Sequence, residues 1–146
     1  MNITQTKQRF ILTQLNEITL VFPTAIVAEI MILEKEQILS LPFYNRAVMG
    51  CFYSNGRIVP LITLHQIIGV KMINTKKITV ITLNEKVGKQ LTGIGILVER
   101  VKAIQNQEQL PPNLFNIEQE SSSKMLLFRP EIINSEIWQP QRWQSI

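Results

Sequence analysis

Residues 48–62 hold two apolar runs separated by the pair Asn55-Gly56. Asn-Gly between hydrophobic runs is the strongest short signal for a β-hairpin closed by a two-residue turn, because both turn positions need a positive φ. A chain with such a hairpin is committed to antiparallel strands around it. Pro60, in the second run, has no N–H to give a ladder, so that strand is interrupted or lies at an edge. The hairpin brings no catalytic group with it and reads as a support for a binding surface.

The same β-rich grammar recurs along the chain. Residues 9–14 and 17–22 form an opening hairpin that bends near Leu15-Asn16, and Pro23-Thr24 ends it. Residues 26–33 read as one turn of helix running into a strand, with Glu29 the lone charge at its centre. Leu64 to Gly69 reads as a helical turn closed by glycine. That reading puts His65 in an exposed or hydrogen-bonded position. Residues 71–77 are polar and basic, a solvated loop. Strands follow at 78–83, 91–105 and 124–129, and a serine-rich loop precedes the last of them. Residues 131–138 suit a short C-terminal helix, with Trp138 and Trp143 as packing anchors or, alternatively, an aromatic pair for a partner. About nine short strands spaced by turn signals predict one or two small barrels rather than a parallel sheet. The turn at 55–56 and the loop at 71–77 mark where a first barrel would hand over to a second.

Composition narrows function mainly by what is missing. The chain has 146 residues, one histidine, one cysteine and eleven acids, all of them glutamate and scattered. Metal sites need clustered His, Cys, Asp or Glu, so no metal is expected. Acid–base and nucleophilic chemistry need a base with an orienting partner, and phosphate cradles need glycine motifs that Gly93-Ile94-Gly95 does not complete. No enzyme activity and no cofactor are expected. Cys51 sits among Met49, Gly50 and Phe52 and reads as a small buried hydrophobe. No apolar run approaches a membrane span and residues 1–10 lack the apolar core of a signal peptide, so a cytoplasmic chain without direct membrane insertion is the expectation. The net charge of +4 is mild and spread out.

Two glycines are informative. Gly93 and Gly95 share one face of their strand, where the missing side chains leave a flat patch. Either the strand bends there, as in a barrel corner, or another backbone docks there.

The order of these segments resembles the CheW family, the adaptors of bacterial chemosensory arrays, from about Phe10 to about Trp138. Val27-Ala28-Glu29-Ile30 is similar to the family's valine–x–glutamate–isoleucine segment. Residues 50–62 match its glycine-started hairpin and hydrophobic–proline–hydrophobic strand. Gly95-Ile96-Leu97-Val98-Glu99-Arg100-Val101 matches its glycine-led strand, and Lys124-Met125-Leu126-Leu127-Phe128 its last strand. The resemblance implies a mainly β fold of two intertwined, small, SH3-like five-stranded barrels with a short C-terminal helix. It implies one CheW-like domain over residues 8–139, with tails at 1–7 and 140–146. It also implies a non-enzymatic scaffold that couples the cytoplasmic tip of transmembrane, methyl-accepting chemoreceptors to the regulatory domain of the histidine kinase CheA. One departure stands out: the family's Asn-Leu-Arg-Gly is Tyr53-Ser54-Asn55-Gly56 here, so Asn55 replaces an arginine. The chain therefore reads as a divergent member, of a phototaxis or pilus-motility system rather than a flagellar one.

Carried over residue by residue, the receptor-binding candidates are Val27, Glu29, Gly50, Asn55, Gly95 and Glu99. Val27 is equally readable as core packing and Gly50 as a backbone requirement of the hairpin. The competing reading is a small barrel that binds single-stranded nucleic acid through Phe43, Tyr44, Phe52 and Tyr53. Such barrels need a basic groove interleaved with the rings, and the lysines cluster at 71–77 instead, so no nucleic acid is the expectation.

Overall fold

The structure, a computed structural model, describes residues 8–41, 47–116 and 124–134. Its strands are β1 (Arg9–Leu15), β2 (Ile18–Pro23), β3 (Val27–Glu34), β4 (Val48–Ser54), β5 (Arg57–Thr63), β6 (Lys77–Leu83), β7 (Gly95–Val98), β8 (Arg100–Asn106) and β9 (Met125–Leu127). One four-residue helix, α1 (His65–Ile68), and several 3₁₀ turns complete it. The fold is mainly β, as the sequence indicates.

Two sheets form. A terminal sheet runs β8-β1-β2-β9, and a central sheet runs β3-β6-β7-β5-β4. The central sheet is thus inserted whole between β2 and β8. No barrel hands over at 55–56 or 71–77, contrary to the sequence reading: the Asn55-Gly56 hairpin and the 71–77 loop are both internal to the central sheet. The changeovers lie at the 3₁₀ turn Thr24–Ile26 and at Glu99, between β7 and β8. The central sheet has the five strands expected of a barrel and the terminal sheet has four among the described residues.

Local chemistry explains the elements. Ser54 pairs with Arg57 across a turn in which Asn55 has φ 50° and Gly56 φ 78°, a type I′ geometry that suits Asn-Gly. Leu15 pairs with Ile18 across a second tight turn, where Asn16 takes φ 55°. α1 closes on Gly69 in the left-handed region, as the glycine predicts. Of the C-terminal helix expected at 131–138, the described part is a 3₁₀ turn, Pro130–Ile132; Trp138 and Trp143 lie outside the described residues.

Strand alternation sorts side chains into three interiors. On β1, Ile11 and Leu15 enter a core shared by both sheets, whereas Phe10 and Leu12 face the other way, with Val21 and Leu110. On β6, Ile81 and Leu83 join the shared core, whereas Ile78 and Val80 fill the central sheet's own interior with Phe52, Val59, Leu61 and Leu97. Strands buried on both faces read as continuous apolar runs, which is how β2, β6 and β7 appear in the sequence. The SH3-like description fits: each sheet curls around an interior of its own, and a third core joins them.

Candidate functional site

The curl of the central sheet creates a groove. β3 and the β4–β5 hairpin are far apart in strand order, yet Ala28, Glu29 and Met31 line the same concavity as Asn55, Arg57 and Ile58, with Thr82 and Leu83 between them. Its volume is about 550 Å³. Glu29 is exposed and its position is fixed by the backbone: its N–H donates to Thr82 Oγ1 at 2.9 Å, and Thr82 Oγ1 donates to the Glu29 carbonyl at 3.2 Å. These bonds replace ladder pairing at a bulge between Val27 and Glu29. Val27, just before it, is half-buried against the shared core. Asn55 stands exposed on the facing hairpin tip. The structure therefore brings Glu29 and Asn55 to one groove, with Val27 beside it.

The other three candidates lie elsewhere. Gly95 is buried: a Cβ there would stand 2.5 Å from Val80 Cγ1 and 3.5 Å from both Leu61 Cδ1 and Phe52 Cε1. Its bare face is the space those side chains fill, and Gly93 lies in the turn before β7 with φ 82°, so the two glycines do not share a strand face as the sequence suggests. Gly50 is buried as well, and its Cβ would meet the Leu39 carbonyl oxygen at 2.2 Å. Its bareness lets the Leu39 and Cys51 main chains bond in both directions, at 2.8 and 2.9 Å. This is a backbone requirement at the entry to the hairpin. Glu99 ties the two sheets together: its N–H donates to the Gln14 carbonyl at 2.9 Å and its Oε1 accepts from Asn16 N at 2.7 Å.

His65 also departs from expectation. It is buried, and neither ring nitrogen has a partner among the described residues. Burial holds its pKa below the ordinary histidine value of 6.5, and the Glu99 carboxylate offsets part of that. Cys51 is buried and free, as predicted.

Exposed aliphatics in the hairpin strands and at barrel edges are the expected kinase contacts, and the structure gives the apolar residues that are exposed. On β3, Ile30 and Ile32 are exposed, Ile32 to 71%. On the hairpin, Tyr53 and Ile58 face each other across β4 and β5 and are 71% and 70% exposed. Ile104 on β8 is exposed too. Ile30 pairs with Ile81 and Ile104 with Ile11, and both of those partners belong to the shared core, so these isoleucines flank the seam between the sheets. Among the described residues β3 and β8 are sheet-edge strands, with one side of each unpaired. The periodicity was visible in the sequence; edge position was not, because it is set by partners far along the chain. Of the rings proposed for nucleic-acid stacking, Phe52 is buried, Tyr53 is exposed, and Phe43 and Tyr44 lie outside the described residues.

The family model of the CheW-like domain matches residues 9–126. This chain belongs to the CheW-like family. The family is one of scaffolds, not of enzymes. Among solved structures the CheW-like fold is similar to the crystal structure of the scaffolding protein TtCheW from Thermoanaerobacter tengcongensis, with a TM-score of 0.61 at 16% identity, covering 78% of this chain and 69% of that one. No curated protein matched. Among the described residues no group of three or more His, Cys, Asp or Glu could hold a metal, and no helix is long and apolar enough to cross a membrane.

Proposed function

We propose that this CheW-like chain is a cytoplasmic adaptor that couples transmembrane chemoreceptors of the methyl-accepting type to the regulatory domain of the histidine kinase CheA, in an array recruited to the membrane. The single observation that carries this is the set of exposed apolar side chains on the sheet that curls into the groove: Ile30 and Ile32 on the edge strand β3, and Tyr53 and Ile58 on the β4–β5 hairpin. Open edges are ready to pair or pack, and aliphatic burial contributes about 25 cal/mol per Å² before the costs of association. The seam beside Val27 suits the tip of a receptor helix laid in a groove. The outer face of the hairpin, with Tyr53 and Ile58, suits the kinase domain. Glu29 and Asn55, at the rim, set orientation and rate more than affinity. The departure at Asn55 supports a specialised array, for phototaxis or pilus motility.

Co-purification with a kinase regulatory domain and a receptor cytoplasmic fragment from the same genome tests the reading. Retention of both is expected, and failure to hold either overturns it. A second test concerns the missing arginine. Asn55→Arg should tighten binding to a receptor of the conventional kind by about two- to fivefold, the scale of a rim ion pair. It should also cost about 1 kcal/mol of stability, because Asn55 sits at a positive φ that arginine resists. Calorimetry showing unchanged or weaker binding contradicts the assignment of Asn55 to the receptor site.

A further inference from the structure

α1 begins at His65, directly after β5. The His65 carbonyl accepts from Gly69 N and Val70 N, both at 2.8 Å, which fixes its backbone. Its ring is 3% exposed. It lines a small pocket of about 20 Å³, against Met49, Ile78, Leu97 and Val98. The same pocket is bordered by Met72 and Ile73 from the segment 70–76, which passes over it between α1 and β6. That segment has no strand pairing. Among the bonds that hold it, Asn16 Nδ2 donates to the Lys71 carbonyl at 3.0 Å, Lys35 N donates to the Lys76 carbonyl at 2.9 Å, Thr75 Oγ1 donates to the Lys77 carbonyl at 2.6 Å, and Lys35 Nζ bonds Asn74 Oδ1.

We infer that residues 70–76 are a strap, latched over a neutral His65 ring and released when that ring takes a proton. A neutral imidazole has one donor and one acceptor, and an imidazolium has two donors and a full charge. Neither nitrogen has an acceptor in reach among the described residues. Two charged groups line the pocket, Lys35 just past β3 and Glu99 between β7 and β8. Lys35 repels an imidazolium. Glu99 attracts it, but burial outweighs that attraction. The charged ring is therefore disfavoured in the pocket and finds water once the strap lifts.

The sign follows from linkage. The buried ring holds its proton less tightly than an exposed one, so the closed strap binds fewer protons than the open strap. The latch is at full strength above the ordinary histidine value of 6.5 and weakens as pH falls through it, levelling off below the buried ring's own lower value.

Amide hydrogen exchange on the full chain tests this at pH about 7.5 and about 5. Protection at Val70 and Lys35 should fall measurably at the lower pH, after correction for intrinsic rates, while β6 and β7 amides keep theirs. His65→Phe should abolish the difference. His65 is the chain's single histidine, so its ring titration is read directly by NMR in the unaltered protein and decides the matter should the variant fail to fold. A midpoint below 6.5 is expected. A midpoint at or above 6.5, strap protection indifferent to pH, or an unchanged pH response in His65→Phe overturns the latch.

Discussion

Gly95 shows how one missing side chain is read from opposite sides. In the sequence, glycines two apart on a strand mark a bare face, and nothing in the spacing tells whether that face meets solvent or protein. In the fold it meets Val80, Leu61 and Phe52. Gly95→Ala is therefore expected to destabilise the protein by about 1–3 kcal/mol, the usual cost of overpacking a filled core. Urea unfolding with an unchanged midpoint would place the glycine outside the interior. Gly95→Trp, which would plug a surface groove, is expected instead to prevent folding. His65 was misread for the same reason. A helix-starting residue before a polar loop looks exposed, and only the fold shows the loop crossing back over the ring. Asn55 was legible outright, because its role is set by its neighbour Gly56 and needs no distant partner.

At the scale of elements, short-range chemistry reported well. Both two-residue turns, the glycine-closed helical turn and most of the strands are where the residues indicate, but the one strand expected over 91–105 is two, β7 and β8, in different sheets. What the chain does not announce is which strands stand at edges. Ile30 and Ile32 look like any strand aliphatics until their sheet partners are known, and those partners lie far away in sequence; Ile58 has its partner Tyr53 close by, but its exposure too depends on how the sheet curls. This distinction is testable. Ile58→Glu touches no core contact, so stability should stay within about 0.5 kcal/mol of the parent. Binding to a kinase regulatory domain should weaken by about tenfold or more, the loss expected when about 1.4 kcal/mol of aliphatic burial is removed. Intact binding together with intact stability would remove the hairpin from the kinase interface.

For the whole molecule, the family resemblance carried what periodicity could not: two curled sheets sharing a core. Its intertwining is concrete in the register, since Arg9 of β1 pairs with Asn106 of β8 around the entire central sheet. Because Leu20 and Phe22 of one sheet and Ile81 and Ile96 of the other pack into a single core, neither sheet keeps its buried surface without its neighbour. Thermal unfolding should show one cooperative transition, with calorimetric and van't Hoff enthalpies equal. Two resolved transitions would mean that the shared core is weaker than the two separate interiors.

The same threading has a consequence on the ribosome. The β1–β2 hairpin emerges before the central sheet but lacks its neighbour on the β8 side until residues 100–106 have been made. During that interval the free side of β1 is a bare ladder of amides and carbonyls, while the strands that follow find one another nearby. Synthesis thus asks the middle of the protein to mature before the beginning can, and a nascent chain stalled near residue 90 would present an adhesive edge to whatever passes.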